Sequence, residues 1–191
     1  SVLRAARRCA RPSDVAGRPR HRAHEFRRDH RGRARVCATG RTRPDAEPLL
    51  VLGGGSNVLV GDAGFDGTVV KIATRGIAED TAACSGAVIT VAAGEPWDPL
   101  VSYAIERGWR GIEAMSGIPG LVGATPIQNV GAYGAEVSEL ISVVRTLDRS
   151  TGQRKTFFPI ECGFGYRTSR FKSDPGRFVI LSVTFQLRLG S

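Results

Sequence analysis

Between Gly111 and Val137 the chain reads GIEAMSGIPGLVGATPIQNVGAYGAEV, with glycine at 111, 117, 120, 123, 131 and 134 and proline at 119 and 126. Glycine and proline at this density rule out a helix or a regular strand. Charges are few, so the stretch is also too apolar for a solvated linker. An ordered loop remains, with its backbone pressed against something flat or elongated. Two readings follow: close packing against another part of the chain, or a large planar cofactor lying on the backbone.

A second glycine cluster constrains the first. VLGGGSNVLVGDAGFDGTVVKI, residues 51–72, sets Gly53, Gly54 and Gly55 between two apolar runs and follows them with Ser56 and Asn57. A tight turn is the plain reading. The dinucleotide fingerprint would want glycine where Val58 stands, and a phosphate-binding P-loop would need a Gly-Lys pair. What remains is a turn whose backbone N–H groups converge on an anion, with Ser56 and Asn57 adding side-chain donors, which suits a pyrophosphate. A third stretch, CGFGYRTSRFK at 162–172, places Arg167 between Tyr166 and Thr168. By itself such an arginine reads as a solvated or ion-paired surface group.

The chain around these loops is strand-rich. PLLVL, GTVVKI and AVITVAA (87–93) are short β-branched runs bounded by Gly and Asp. In GEPWDPLVSYAIERG, Trp97, Leu100, Val101, Ala104 and Ile105 share one helical face, with Pro96 near the start and Gly108 at the end. ISVVRTLDRSTGQRKTFF predicts a hairpin turning at Ser150 to Gly152. FVILSVTFQLRL predicts a last strand burying Leu181, Val183, Phe185, Leu187 and Leu189 against polar Ser182, Thr184, Gln186 and Arg188. The 191 residues, 41% apolar, are enough for a buried core in an α+β domain.

Charge divides the chain. Residues 1–48 hold fourteen arginines, no lysine, five acids and all three histidines (His21, His24, His30), and carry the whole net charge of +9. The remainder is neutral. The first segment lacks helical or strand period. It reads either as a basic arm that binds phosphates through counterion release or as an out-of-frame translation of a high-GC coding sequence. The absence of lysine favours the second. No apolar run approaches a spanning segment, and no signal-peptide core is visible. Cys9, Cys37, Cys84 and Cys162 show no metal-ligand spacing and no disulfide framework, which makes a reducing cytoplasmic setting the expectation.

GGGSNVLV, SGIPGLVGATPIQNVGAYGAEV and FGYRTSRFK, in this order and spacing, resemble the UDP-N-acetylenolpyruvoylglucosamine reductase family of bacterial flavoenzymes, over about residues 48–189. The resemblance implies an α+β, PCMH-type FAD-binding fold (vanillyl-alcohol-oxidase-like) of two subdomains. It implies three segments: 1–48 outside the fold, 49–75 a remnant of the first FAD-binding subdomain, and 76–191 the second, with the family's C-terminal substrate domain absent. Gly53, Gly54, Gly55, Ser56 and Asn57 would cradle the FAD pyrophosphate. Ser116, Gly117, Ile118, Pro119, Gly123, Ala124, Thr125, Gln128, Asn129, Gly131, Ala132, Tyr133 and Gly134 would line the flavin and its ribityl chain.

The family reduces FAD with NADPH and passes hydride to UDP-N-acetylglucosamine enolpyruvate, making UDP-N-acetylmuramate for peptidoglycan. Arg167 would be catalytic, its fixed cation stabilising the developing charge, and Tyr133, Tyr166 and Arg167 would face substrate. No metal is implied. The family's proton-donor serine and its assisting glutamate match no residue here, so the chain alone is expected to be inactive. Two alternatives stay open: another FAD-dependent oxidoreductase of this fold, and a nucleic-acid-binding protein built on the arginine-rich segment.

Overall fold

Short β-branched runs bounded by glycine form strands such as Thr68–Lys71 and Ala87–Ala92, and the described residues hold ten strands in all. The computed structural model describes residues 48–62, 64, 65, 67–80 and 86–190. The expectations for residues 1–47 and for Cys9, Cys37 and Cys84 lie outside the described residues. Strands β1 (Leu49–Leu52) and β2 (Thr68–Lys71) pair in parallel, Leu49 opposite Thr68. The other principal strands are β3 (Ile77–Asp80), β4 (Ala87–Ala92), β5 (Trp109–Arg110), β8 (Ile141–Asp148), β9 (Arg154–Phe157) and β10 (Phe178–Leu189). They form one antiparallel sheet ordered β3-β4-β10-β8-β9, with β5 on the end of β10. Residues Gly131–Ala132 (β6) and Ala135–Glu136 (β7) make a separate two-residue hairpin.

The core lies on one face of the large sheet. Ile89, Val91, Val144, Phe157, Val183, Phe185 and Leu187 are buried there, and helix α1 (Trp97–Glu106) lays Trp97, Leu100, Val101 and Ala104 on the same core. Each such side chain contributes about 1.5–3 kcal/mol by leaving water. Gly108, in the left-handed region at φ 70°, ends the α1 turn as expected. Ile105 was expected on the buried face and is 50% exposed. It stands eight residues from Trp97, about 80° round the helix, at the edge of the apolar stripe.

The last strand departs from simple alternation. Leu181 is a bulge: β8 advances one residue, Thr146 to Arg145, while β10 advances two, Ile180 to Ser182. Ile180 and Val183 are therefore both buried, three apart, and Phe178 joins Phe157 and Phe171 in an edge-to-face cluster. Thr184, expected to be solvated, is buried with its hydroxyl 2.9 Å from that of Thr90, while Leu189 is exposed at the strand's end. The hairpin across Ser150–Gly152 forms as predicted, joining β8 to β9.

Candidate functional site

The two glycine clusters, some sixty residues apart, face each other. A Cβ placed on Gly54 would lie 3.7 Å from Leu121 Cγ and 3.9 Å from the Gly120 Cα, and one on Gly120 would lie 3.5 Å from Ser56 Oγ. Gly53 is half-buried and Gly54 to Asn57 are exposed, so the turn after β1 presents its backbone outward beside the loop. Gly55 has φ 81° with open space where a side chain would stand. A non-glycine residue there would be strained.

Helix α1 holds the loop. Asp98, in its first turn, accepts from the Gly117 N–H at 2.6 Å and the Ser116 hydroxyl at 3.0 Å. The Trp97 indole donates to the Met115 carbonyl at 2.9 Å. Backbone bonds from Val122 N–H to the Glu95 carbonyl and from Gly123 N–H to the Ala93 carbonyl continue the seam. A Cβ on Gly123 would meet the Ala93 Cβ at 2.6 Å, and one on Gly131 the Ala135 carbonyl oxygen at 2.5 Å. These two glycines are thus required by close packing inside the chain. Beside Gly117 and Gly134 the space is open.

The remaining predicted residues divide by burial. Thr125 is buried and donates to the Val122 carbonyl at 2.9 Å. Ile118 and Gln128 are half-buried, and Pro119 and Ala124 are exposed. The stretch expected to lack regular strand contains the β6/β7 hairpin, with Ala132 paired to Ala135 around Tyr133 and Gly134. Among the described residues, the non-glycine positions with left-handed backbone are Asn129 (φ 43°), Tyr133 (φ 52°) and Arg167 (φ 52°). All three are residues singled out from the sequence, and strain of this kind collects at functional sites.

Arg167 reaches this hairpin. Gly165 and Thr168 exchange two backbone hydrogen bonds, leaving Tyr166 and Arg167 as the exposed centre of a tight turn. The Arg167 Nη2 donates to the Gly131 carbonyl at 2.7 Å, and the Ser169 hydroxyl to the Ile127 carbonyl at 2.7 Å. Among the described residues no carboxylate lies within ion-pair distance of Arg167. Tyr133 and Tyr166 are 96% and 86% exposed on the two turns. Sequence reasoning missed Asp98 and Ser169. An acid in a first helical turn reads only as a dipole partner, and Ser169 is recognisable only as the cap of the short helix Arg170–Ser173. Clefts of about 420 Å³, around Arg145, Arg154 and Lys155, and about 390 Å³, around Trp109 and Arg110, contain none of the predicted residues.

A family model described as "FAD binding domain" matches residues 36–157. The chain belongs to this FAD-binding family. The match begins twelve residues before the boundary expected at 48 and ends before Arg167. The chain is 61% identical over 145 residues to the UDP-N-acetylenolpyruvoylglucosamine reductase of Cutibacterium acnes, covering 76% of this chain and 39% of that one. It is 49% identical over 155 residues to the protein of the same name in Streptomyces coelicolor, covering 81% and 39%. It therefore spans about two fifths of the length of these curated relatives. Among solved structures it resembles the UDP-N-acetylenolpyruvylglucosamine reductase of Thermus caldophilus, with TM-score 0.61 and 29% identity over 77% of this chain and 51% of that one. A solvent-stable cholesterol oxidase shares the fold at TM-score 0.54 and 16% identity, covering 75% and 30%.

The α+β, PCMH-type FAD-binding fold expected from the sequence is the fold found, and FAD is the family's cofactor. The residues fit it, since open space beside Gly55 and Gly117 lets a ligand approach the backbone. Among the described residues no helix is long and apolar enough to cross a membrane.

Proposed function

We propose that this chain is the flavin-holding part of a UDP-N-acetylenolpyruvoylglucosamine reductase, which converts UDP-N-acetylglucosamine enolpyruvate to UDP-N-acetylmuramate with NADPH in the cytoplasm. One observation carries the reading. The Gly54 turn meets Gly120 and Leu121, and Arg167 meets Gly131, so the motifs adjoin in pairs in a chain 61% identical to a protein of that name. The parallel β1/β2 pair belongs, in this reading, to a first FAD-binding subdomain over 49–75, and the antiparallel sheet to a second over 76–191; the change of sheet at Ile77 supports that boundary.

Gly53–Asn57 hold the pyrophosphate through backbone and side-chain donors, and the exposed parts of 116–134 hold the flavin and ribityl chain. Bound FAD supplies the hydride-transferring group. Arg167 brings a guanidinium that no described carboxylate neutralises, placed to stabilise negative charge developing on substrate. It stays protonated, so it cannot be the proton donor. Tyr133 and Tyr166 flank it on exposed turns and contact substrate.

The test is NADPH oxidation dependent on the UDP-sugar, measured on the protein that carries this chain after FAD loading. Oxidation that ignores the UDP-sugar but responds to an alcohol would reassign the site to another FAD-dependent oxidoreductase.

A further inference from the structure

Asn129 occupies an unusual position. Its side chain is 1% exposed and its backbone is left-handed, a conformation asparagine tolerates better than most residues. Its carboxamide makes three hydrogen bonds: Nδ2 donates to Glu136 Oε2 at 2.7 Å and to the Gly165 carbonyl at 3.1 Å, and Oδ1 accepts from the Ser138 N–H at 3.1 Å. Two acceptors facing the nitrogen and one donor facing the oxygen fix the amide in a single orientation. Two of these bonds close the base of the β6/β7 hairpin. The third crosses 36 residues to the turn that carries Arg167. The Arg167 guanidinium returns to the same hairpin through the Gly131 carbonyl.

Resting on the function proposed above, we propose that Asn129 is a positioning residue. It holds the Gly165–Thr168 turn against the β6/β7 hairpin and so sets where the Arg167 guanidinium stands on the flavin side of the site. An aliphatic side chain at 129 leaves Glu136, the Ser138 N–H and the Gly165 carbonyl without these partners and releases the turn. Removing Glu136 alone loosens the hairpin while leaving the bond from Asn129 to Gly165. The two changes therefore separate positioning from general support of the fold. Buried networks in which every member is satisfied are the ones that fix a single geometry.

The experiment compares the wild-type chain, Asn129→Ala, Asn129→Gly and Glu136→Ala by thermal unfolding and by the side-chain ¹H–¹⁵N resonances of Arg167, assigned from their loss in Arg167→Lys. Asn129→Gly enters the left-handed region without strain and serves if Asn129→Ala does not fold. The expected result is that the hydrogen-bonded Arg167 resonance moves to that of a solvated arginine in the Asn129 variants and persists in Glu136→Ala, even where both melt earlier. Persistence in a folded Asn129 variant, equal loss in Glu136→Ala, or failure of both Asn129 variants to fold overturns the proposal. A parallel FAD titration of the wild-type chain tests the functional reading separately. Absence of flavin binding there fails that reading and leaves the resonance comparison standing.

Discussion

Asp98 accepts the Gly117 N–H at 2.6 Å, tying the first turn of α1 to the glycine-rich loop. Because the same carboxylate oxygen takes the Ser116 hydroxyl, one side chain orders two residues assigned to the flavin. Asp98→Ala should lower stability by about 1.5–3 kcal/mol, the net value of hydrogen bonds to a charged group. FAD affinity should fall about tenfold through loss of preorganisation. Asp98→Asn, which keeps an acceptor, should recover much of both. Thermal melting and flavin-fluorescence titration of the three proteins check this, and equal affinity in Asp98→Ala would remove the residue from the site.

Gly54, expected at the FAD pyrophosphate, and Gly123, expected along the flavin, should respond oppositely. A methyl on Gly123 collides with Ala93 from the adjoining strand end, whose backbone cannot swing aside. Gly123→Ala should cost at least about 2 kcal/mol of stability through overpacking. A Cβ on Gly54 finds its nearest neighbours, in Leu121 and the Gly120 Cα, at ordinary contact distance. Gly54→Val should therefore melt within about 0.5 kcal/mol of wild type, as surface changes do, while losing FAD affinity at least about tenfold. The pair separates packing glycines from approach glycines by melting curve against flavin titration.

That division shows what could be read in the sequence and what could not. Glycine density announced an ordered loop and a close approach, but not which surface approaches each glycine. Only the structure puts Ala93 against Gly123 and open space against Gly117. The helix and the last strand followed from their periods, β1, β2 and β4 from β-branched runs, and the hairpin from its turn at Ser150–Gly152. Strands β3, β5, β6 and β7 escaped because IAED, WR, GA and AE are too short for a period and are not β-branched runs, and the Leu181 bulge escaped because it shifts the alternation midway. Arg167 is singled out by its motif, whereas its link to Gly131 depends on a tertiary contact 36 residues away that no local pattern encodes.

Asp148 gives the fold a pH dependence. The Ser150 hydroxyl at 2.6 Å foremost, with Arg177 behind it, holds its carboxyl at about 2, below the ordinary 3.8, although burial works the other way. A carboxylate whose folded pKa is depressed stabilises the fold above its unfolded pKa, and the contribution disappears as pH falls from about 4 to about 2. The wild-type melting temperature should drop across that window, and Asp148→Asn should flatten the drop. At pH 7 the variant should be less stable by about 2 kcal/mol, mostly from the bonds to Ser150, because Arg177 is half-exposed and its ion pair is screened. Melting curves from pH 7 to pH 2 decide it, and an unchanged acid limb in Asp148→Asn would contradict the assignment.

Arg167 supplies the last prediction, and it concerns rate. In the protein carrying this chain, Arg167→Ala should lower UDP-sugar-dependent turnover about 10²-fold or more, the cost of losing one oriented charge-stabilising donor. FAD affinity should fall far less than turnover, since the guanidinium's bond reaches a single flavin-lining residue, through the Gly131 carbonyl, and none of the Gly53–Asn57 turn. Arg167→Lys should recover only part of the rate. A lysine ammonium keeps the charge but cannot hold the Gly131 carbonyl while presenting further N–H groups in a fixed plane. The reductive half-reaction, NADPH oxidation measured without the UDP-sugar, should be nearly unaffected, because in the proposed role the charge that Arg167 opposes develops on the second substrate. Stopped-flow measurement of both half-reactions in the three proteins separates the steps. If Arg167→Ala slows flavin reduction by NADPH as much as turnover, the arginine acts on the nicotinamide side and the substrate-facing role proposed for it fails.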